Sequence, residues 1–468
     1  MIFYGRKQEL AILREKNWRN RAQLICVYGR RRIGKTALIE KAYEKNIIWK
    51  FEGLENGNLL TQINMQVGLL AKYTQNSQIN SLKIKTWTQF FDLLLEQIKN
   101  QSLIIFFDEF QWLAQMQDNL VSIFKLYWDN FFQKLTNCRF IICGSVSSFI
   151  TKNVLKSRAL YGRFDTEIQL LPLSCEEIQY FFQNNNLRTK EEILQIAMIF
   201  GGVPQYLKAL NPNLSLLQNL NEYFFHSSGY FFHEFNHIFI SHFSKNIKYE
   251  KIIKALKTKP LTLSELAKTC QQNKPGGSFS QLVKDLVFAG FIEQYTSIDK
   301  KTQTSKLIRY RLFDEYLHFY FMFVEKFFNQ IINGSFCGFS FLKNRDLQLW
   351  YGYAFERFCL KNARFIADYL RFAGINYQFS SWFRPKKTQI DLLFKREDKV
   401  LTICECKYQE ILPAQKIIKD FENKMSTLKE YYPQSGLQKV LILGKNNKIN
   451  TSLKNYFDKI ILACEVFF

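Results

Sequence analysis

Gly29-Arg30-Arg31-Arg32-Ile33-Gly34-Lys35-Thr36 spells GxxxxGK[ST], a loop that works only between a buried strand and the start of a helix. Both flanks agree. Leu24-Ile-Cys-Val-Tyr28 is short, apolar and partly β-branched, the pattern of a buried strand, and Ala37-Leu-Ile-Glu-Lys-Ala-Tyr43 reads as a helix. In that setting the backbone from Gly29 through Arg30, Arg31, Arg32 and Ile33 to Gly34 is expected to turn its N–H groups onto phosphate oxygens. The helix N-terminus adds partial positive charge. Lys35 is placed for the β- and γ-phosphates of ATP, and Thr36 for Mg²⁺.

Such a loop calls for a second motif, an apolar strand ending in carboxylates. Leu103-Ile-Ile-Phe-Phe107-Asp108-Glu109 supplies it. An unbroken apolar run suits a central parallel strand covered on both faces. Asp108 at its tip can hold Mg²⁺ through water, and Glu109 can polarise the attacking water. A third strand, Arg139-Phe-Ile-Ile-Cys143, runs into Gly144-Ser145. Ser145 is the candidate γ-phosphate contact at that tip, with Ser147 and Ser148 as neighbours; a loop cap is the alternative for each. In Ser157-Arg-Ala-Leu-Tyr-Gly-Arg163-Phe, Arg163 is the candidate for stabilising γ-phosphate charge, in cis or across a subunit interface. A basic solvated turn is the alternative there.

The chain has 468 residues, 47% hydrophobic and 22% charged, enough for about three domains. No apolar stretch approaches the roughly twenty residues of a membrane span. The N-terminus Met1-Ile-Phe-Tyr-Gly-Arg-Lys-Gln-Glu lacks a signal-peptide core, so a cytoplasmic protein with no membrane partner is expected. The ten cysteines show no metal-type CxxC spacing, and Cys26, Cys143, Cys404 and Cys406 lie inside apparent strands, as buried reduced thiols do. A formal charge of +23 favours a polyanionic partner, most simply DNA. A low-GC genome rich in Lys and Asn codons is the competing explanation.

Residues 1–170 alternate strands and helices, the pattern of an α/β parallel sheet, with Gly5 and Arg6 near the nucleotide base. Residues 171–245 read as a helical lid, opened by Pro172-Leu-Ser174 and broken at Gly201-Gly-Val-Pro204. Residues 246–312 read as three helices and a two-stranded wing, a winged helix-turn-helix: Ile252–Leu256, Leu261–Ala267, Phe279–Ala289, then Phe291–Tyr295 and Leu307–Leu312. Lys274, Ser278, Ser280, Gln281 and Lys284 would face a DNA groove, and Lys300, Lys301 and Lys306 would sit on the wing. Winged helices also bind proteins, so a protein partner or a homo-oligomer stays open. Residues 313–345 read as an aromatic connecting helix.

Residues 346–468 carry a second constellation: Glu356 on a helix, Asp391 on one strand, and Glu405-x-Lys407 on the next. A hairpin brings Asp391 and Glu405 to one metal, and strand alternation puts Lys407 on the face of Glu405. Mg²⁺ or Mn²⁺ held by these carboxylates, with Glu356 completing the shell, would polarise a phosphodiester, and Lys407 would orient the water. Charges in apolar strands cost several kcal/mol unless paired or liganded. The alternative is an internal ion pair of Lys407 with Glu405 or Asp391 in an inactive core.

Taken in order, GRRRIGKT, FFDEFQWL, CGSVSSF, LYGRF, GGVPQYL and GYAFERFC…QIDLLF…ECKY resemble the archaeal-type ATPases of the AAA+/STAND-like branch that end in a PD-(D/E)xK nuclease-like domain. The resemblance covers nearly the whole chain. It implies a P-loop NTPase fold with helical lid, winged helix-turn-helix and C-terminal α/β restriction-endonuclease-like domain, and ATP hydrolysis with DNA-processing, mobility or defence roles. It carries nucleotide contacts onto Lys35, Thr36, Asp108 and Glu109, and metal-site roles onto Glu356, Asp391, Glu405 and Lys407. One departure is Ile390, where the superfamily often has Pro before the Asp.

Overall fold

The computed structural model describes residues 3–15, 21–98, 101–114, 119–145, 154, 160–182, 188–243, 247–271, 276–296, 308–338, 345–384, 388–445 and 448–468. Its first sheet comprises β1 (Gln23–Gly29), β2 (Ile47–Glu52), β3 (Leu103–Asp108), β4 (Cys138–Ser145) and β5 (Thr166–Gln169). The order is β2-β3-β4-β1-β5, with every pair parallel. Helix α1 (Lys7–Arg14) precedes β1. Parallel neighbours need crossovers, and from β1 to β4 the helices α2 (Lys35–Ala42), α3 (Leu59–Tyr73), α4 (Trp87–Ile98), α5 (Phe110–Ala114) and α6 (Leu120–Asn130) supply them. They cover both faces, so β3 and β4 are buried at every position. Side-chain alternation splits the core: Phe51, Phe91, Phe107 and Phe140 pack on one face, and Ile25, Val27, Phe106 and Ile141 on the other. The α/β parallel sheet read from the sequence is therefore present. Its register sets Gly29 beside Ser145, so the tips of β1 and β4 end together. Open parallel sheets bind ligands at such tips, where the strand order reverses.

Beyond β5 come α7 (Cys175–Phe182), α8 (Lys190–Phe200), α9 (Pro204–Ala209), α10 (Leu216–Phe224) and α11 (Tyr230–Phe243). Ser174 and Glu177 cap α7 reciprocally, each side chain accepting from the other's backbone N–H. The break between α8 and α9 needs glycine. Gly202 has φ 75°, and a Cβ there would lie 2.3 Å from the Leu173 carbonyl.

Residues 247–312 form α12 (Ile247–Ala255), β6 (Leu261–Thr262), α13 (Leu263–Thr269), α14 (Gly277–Phe288), β7 (Ile292–Thr296) and β8 (Ile308–Leu312), with an antiparallel sheet ordered β6-β8-β7. The helix expected from Leu261 starts two residues later. Leu261 and Thr262 pair with Tyr310 and Arg309, and Thr262 then caps α13 through Glu265. The aromatic connecting segment is not one helix: α15 (Glu315–Phe319) passes into a π-turn at Tyr320–Val324 and a 3₁₀ turn before α16 (Phe328–Ile332). Bulky rings at Tyr316, Phe319, Tyr320 and Phe323 pack in different directions, and the helix widens to seat them.

The C-terminal unit has α17 (Arg345–Lys361) and α18 (Ala363–Tyr369), strands β9 (Tyr377–Arg384), β10 (Thr388–Arg396) and β11 (Val400–Lys407), α19 (Ala414–Tyr431), β12 (Gly436–Leu443), α20 (Thr451–Tyr456), β13 (Lys459–Leu462) and α21 (Ala463–Val466). The sheet order is β13-β12-β11-β10-β9; the β9–β10–β11 pairs are antiparallel and the other two parallel. Phe355, Cys359, Leu392 and Cys404 pack on one face, and Ile390, Leu393, Ile403 and Phe421 on the other. The first of these faces belongs to the same apolar cluster as Ile196 and Phe200 of α8 and Tyr316 of α15. A continuous core thus runs from Leu173 to Phe468, while the α19 face of the C-terminal sheet has a core of its own.

Candidate nucleotide site and a second acidic cluster

The loop after β1 owes its shape to two glycines in different ways. Gly34 has φ 88° at the N-cap of α2, a conformation that a Cβ disfavours. Gly29 is needed for closeness, since a Cβ there would stand 2.5 Å from the Leu170 carbonyl at the end of β5. Lys35 is buried, and its Nζ donates to the carbonyls of Gly29 (3.2 Å) and Arg30 (3.1 Å). Thr36 Oγ1 donates to Asp108 Oδ2 at 2.8 Å. The two residues expected at Mg²⁺ are thus adjacent hard oxygen donors. Lys50 of β2 places its Nζ 3.2 Å from the same Asp108 oxygen and 3.1 Å from Glu52. Partial burial opposes the charge on Lys50, but Asp108 and Glu52 outweigh it and raise its pKa. A cation already satisfies this carboxylate, as a metal would.

At the tip of β3, Glu109 has φ 47°, left-handed for a residue with a side chain. Strain of this kind concentrates at functional sites. Its carboxylate accepts from Gln111 Nε2, which also donates to Ser145 Oγ at 3.0 Å. Ser145 therefore sits in contact with the β3 tip, as its strand position implied. Ser147 and Ser148 lie outside the described residues. Sequence reasoning missed Gln111; the available signal was an amide inside the apolar helix Phe110–Ala114.

The side chains of the loop arginines find partners within the chain. Arg30 does not extend toward phosphates. Its guanidinium is buried against Asp314, with Tyr206 Oη at 3.5 Å and the Phe291 ring at 4.8 Å. Burial opposes its charge, yet Asp314 more than compensates and raises its pKa. Only its backbone carbonyl meets Lys35. Arg32, also in left-handed backbone (φ 68°), pairs with the buried Glu234 of α11. Tyr206 Oη donates to that same Glu234 at 2.7 Å. Arg31 lies 4.7 Å over the Trp112 ring. The physical reason is desolvation: two buried carboxylates need cations more than a solvated phosphate site does. Arg163 is likewise engaged elsewhere in its own chain, bidentate to Asp129 of α6 at 2.7 and 2.9 Å.

A cavity of about 930 Å³ opens over the loop, lined among others by Tyr4, Arg6, Lys35, Glu109, Phe181 and Pro204. Its size suits a nucleoside triphosphate. Tyr4 and Phe181 meet at 4.8 Å between ring centres. Arg6 bridges toward α7, donating to the Leu171 carbonyl at 2.6 Å. Burial lowers its pKa despite nearby Glu177 and Glu9.

Residues 3–210 match the model of an ATPase domain found predominantly in Archaea. The protein is a P-loop ATPase. An uncharacterized protein of Methanocaldococcus jannaschii is 26% identical to it over 435 residues, 90% of this chain and 92% of that protein. An uncharacterized ATP-binding protein of the same organism is 50% identical over 48 residues, 10% of this chain and 81% of that protein. Among solved structures, a Walker-type ATPase of Pyrococcus abyssi aligns with a TM-score of 0.48 and 17% identity, over 68% of this chain and 95% of that one.

The ATPase carries its second cluster on β10, β11, α17 and α19. One step beyond the Leu392–Cys404 pair, the hairpin register sets Asp391 across from Glu405. A β-bulge falls between Ile390 and Leu393, so two residues of β10 oppose Ser381 alone. The bulge rephases the strand: Ile390 and Leu393 share the α19 face, while Leu392 and Phe394 take the other. Asp391 Oδ2 accepts from the Cys406 N–H at 3.0 Å. Glu405 is held by Lys407 (2.7 Å) and by Lys424 of α19 (2.6 Å), a residue sequence reasoning did not single out. Burial raises the pKa of Asp391, with Glu405 adding to it. Burial pushes Glu356 up to about 8, with Asp391 the next cause. Burial is the main reason that both carboxylates resist ionisation, and the nearby Lys407 and Lys424 offset it only in part. Among the described residues no three His, Cys, Asp or Glu side chains converge as a metal cage. Asp391 and Glu405 are the two carboxylates that the hairpin register sets opposite each other.

In the segment expected to meet a DNA groove, Ser278 and Lys284 are exposed on α14, whereas Gln281 donates to Asp285 at 2.7 Å. Lys274, Lys300, Lys301 and Lys306 lie outside the described residues. No helix among those described is long and apolar enough to cross a membrane.

Proposed function

We propose that this ATPase acts on DNA, with nucleotide turnover coupled to a winged-helix DNA contact at residues 246–312 and to a divalent-metal nuclease in residues 346–468. The observation that carries the reading is the β10–β11 hairpin, whose β10 strand is bulged against β9; it sets buried Asp391 opposite Glu405, two residues before Lys407. Charges in a hydrophobic sheet are costly unless they are paired, liganded or used in chemistry. The net charge of +23 supports a polyanionic substrate. In the ATPase half, Lys35 would bind the β- and γ-phosphates, Thr36 and Asp108 would hold Mg²⁺, Glu109 would polarise water and Ser145 would touch the γ-phosphate. The metal would neutralise phosphate charge. Arg163 faces Asp129 within its own chain, so a γ-phosphate role for it would belong to a neighbour in a homo-oligomer. In the C-terminal half, Asp391 and Glu405 would hold Mg²⁺ or Mn²⁺ beside Glu356, while Lys407 would orient the attacking water.

Glu109→Gln is expected to keep ATP affinity within about twofold and to cut turnover by about 10²-fold or more, because only proton acceptance is lost. A steady-state assay beside a nucleotide titration checks it; surviving turnover removes Glu109 from the role of base.

A second reading has its own support. Both Glu405 oxygens are occupied by lysines, the arrangement of an inert buried ion pair, and the protein would then be a nucleotide-gated scaffold with a protein-binding winged helix. Calorimetry of the full chain with Mn²⁺, together with DNA cleavage with and without ATP, separates the two. Under the nuclease reading Asp391→Ala loses both metal binding and cleavage and spares ATP hydrolysis. Lys407→Ala loses cleavage but retains metal, since an ammonium is no ligand. If the wild type binds no additional metal and cuts neither DNA nor RNA, the scaffold reading stands.

A further inference from the structure

We propose that Gln111 is a working part of the ATP-hydrolysis machinery, fixing Glu109 and Ser145 with its two N–H groups and receiving the attacking water on its carbonyl oxygen. This rests on the assignment of Glu109 as base. Gln111 sits two residues after Glu109 on the first turn of α5 and is only 5% exposed. Its Nε2 donates to the Glu109 carboxylate and, at 3.0 Å, to Ser145 Oγ. A carboxylate takes donors only, so the amide orientation follows from the contact itself. Both N–H groups are then engaged. The Oε1 atom is buried and has no hydrogen-bond partner among the described residues. A buried amide oxygen without a donor costs free energy of the order of 1–3 kcal/mol, so a persistent one calls for a ligand. One of the two Nε2 hydrogens lies on the Oε1 side of the planar amide; we assign that one to Glu109, so that the vacant acceptor and the carboxylate face the same water. A water there gives one hydrogen to Oε1 and the other to Glu109, leaving a lone pair for attack.

In the reaction the water oxygen bonds to the γ-phosphorus. The bond from that phosphorus to the bridging oxygen breaks, and its electron pair leaves with ADP. The proton directed at Glu109 passes to the carboxylate and then to solvent. The other remains on the phosphate. Gln111 gains and loses no atom; it restricts the water to one orientation. The strained φ of 47° at Glu109 fits this arrangement, because the amide contact helps hold a backbone that would otherwise relax.

Gln111→Met tests it, since the thioether matches the length of the amide and offers no N–H donor. The full chain should melt cooperatively and bind ATP with affinity within about threefold of wild type, while kcat falls about 10²-fold. Glu109→Gln supplies the discriminating background: there the added Gln111→Met change should cost less than threefold, because base and water-holder act as one unit. Gln111→Asn, which keeps the chemistry but withdraws it by one methylene, should lie between wild type and Gln111→Met in kcat. Fully additive losses in the double variant would overturn the proposal. So would an ATP affinity that falls in step with kcat. If Glu109→Gln alone leaves turnover intact, the base assignment fails; a Gln111→Met loss in that event belongs to Gln111 itself.

Discussion

Lys35→Ala is expected to weaken ATP binding by about 100-fold or more and to remove measurable hydrolysis, because charge-assisted contacts to phosphate are among the strongest single terms in such a site. The side chain is buried, and its ammonium is already poised over the loop by the carbonyls of Gly29 and Arg30. Phosphate oxygens can take over from those carbonyls with little motion. Arg30 and Arg32 offer no substitute, since they are bound to Asp314 and Glu234. Lys35→Arg is not expected to rescue, because a planar fork does not fit a pocket built around a compact ammonium. A nucleotide titration of the intact chain decides the point, with melting curves to show that the variants remain folded. Unchanged affinity in Lys35→Ala would remove the loop from the nucleotide site.

Asp314→Ala should lower the stability of the whole chain by about 3–5 kcal/mol, since it strands the Arg30 guanidinium in a dry interior. Arg30 and Asp314 are only 7% and 3% exposed, so solvent does little to soften the loss. The same carboxylate caps α15, accepting from the Leu317 N–H at 2.8 Å, which contributes about 1 kcal/mol more. Replacing both partners, Arg30→Met with Asp314→Leu, should recover most of the deficit, because no charge is then left unpaired. Urea unfolding of the wild type and the two variants measures this. A loss below about 1 kcal/mol in Asp314→Ala would contradict a buried pair.

The strands around the phosphate loop were legible because each rule agreed with the next. Leu24–Tyr28 and Leu103–Phe107 are unbroken apolar runs, and both became strands with one or two residues added at the ends. Asp108 and Thr36 were legible because their motif positions fix where they stand. The arginines were not. Whether Arg30 reaches a phosphate or a carboxylate depends on a partner 284 residues away, and Asp314 reads in sequence only as a helix cap. Lys424 stayed hidden for a similar reason, since it sits among other lysines on an amphipathic helix. The start of α13 was misread because a two-residue strand has no periodicity of its own; only pairing with Arg309 and Tyr310 makes Leu261 and Thr262 extended. The aromatic segment after Asp314 shows the reverse failure, with a helical pattern strong enough to hide the π-turn inside it.

The clasp between the phosphate loop and the rest of the chain bears on how the protein can be taken apart. The stretch that matches the archaeal ATPase domain, residues 3–210, contains Arg30 and Arg32 but neither Asp314 nor Glu234. A fragment cut at that boundary would present two cations and the bare rim of an aromatic core where it once had buried partners. The GxxxxGK[ST] loop is also the seam that ties residues 3–210 to the rest of the chain, so that stretch is not expected to behave as a detachable module. Any fragment meant to report on this enzyme has to keep both sides of that seam.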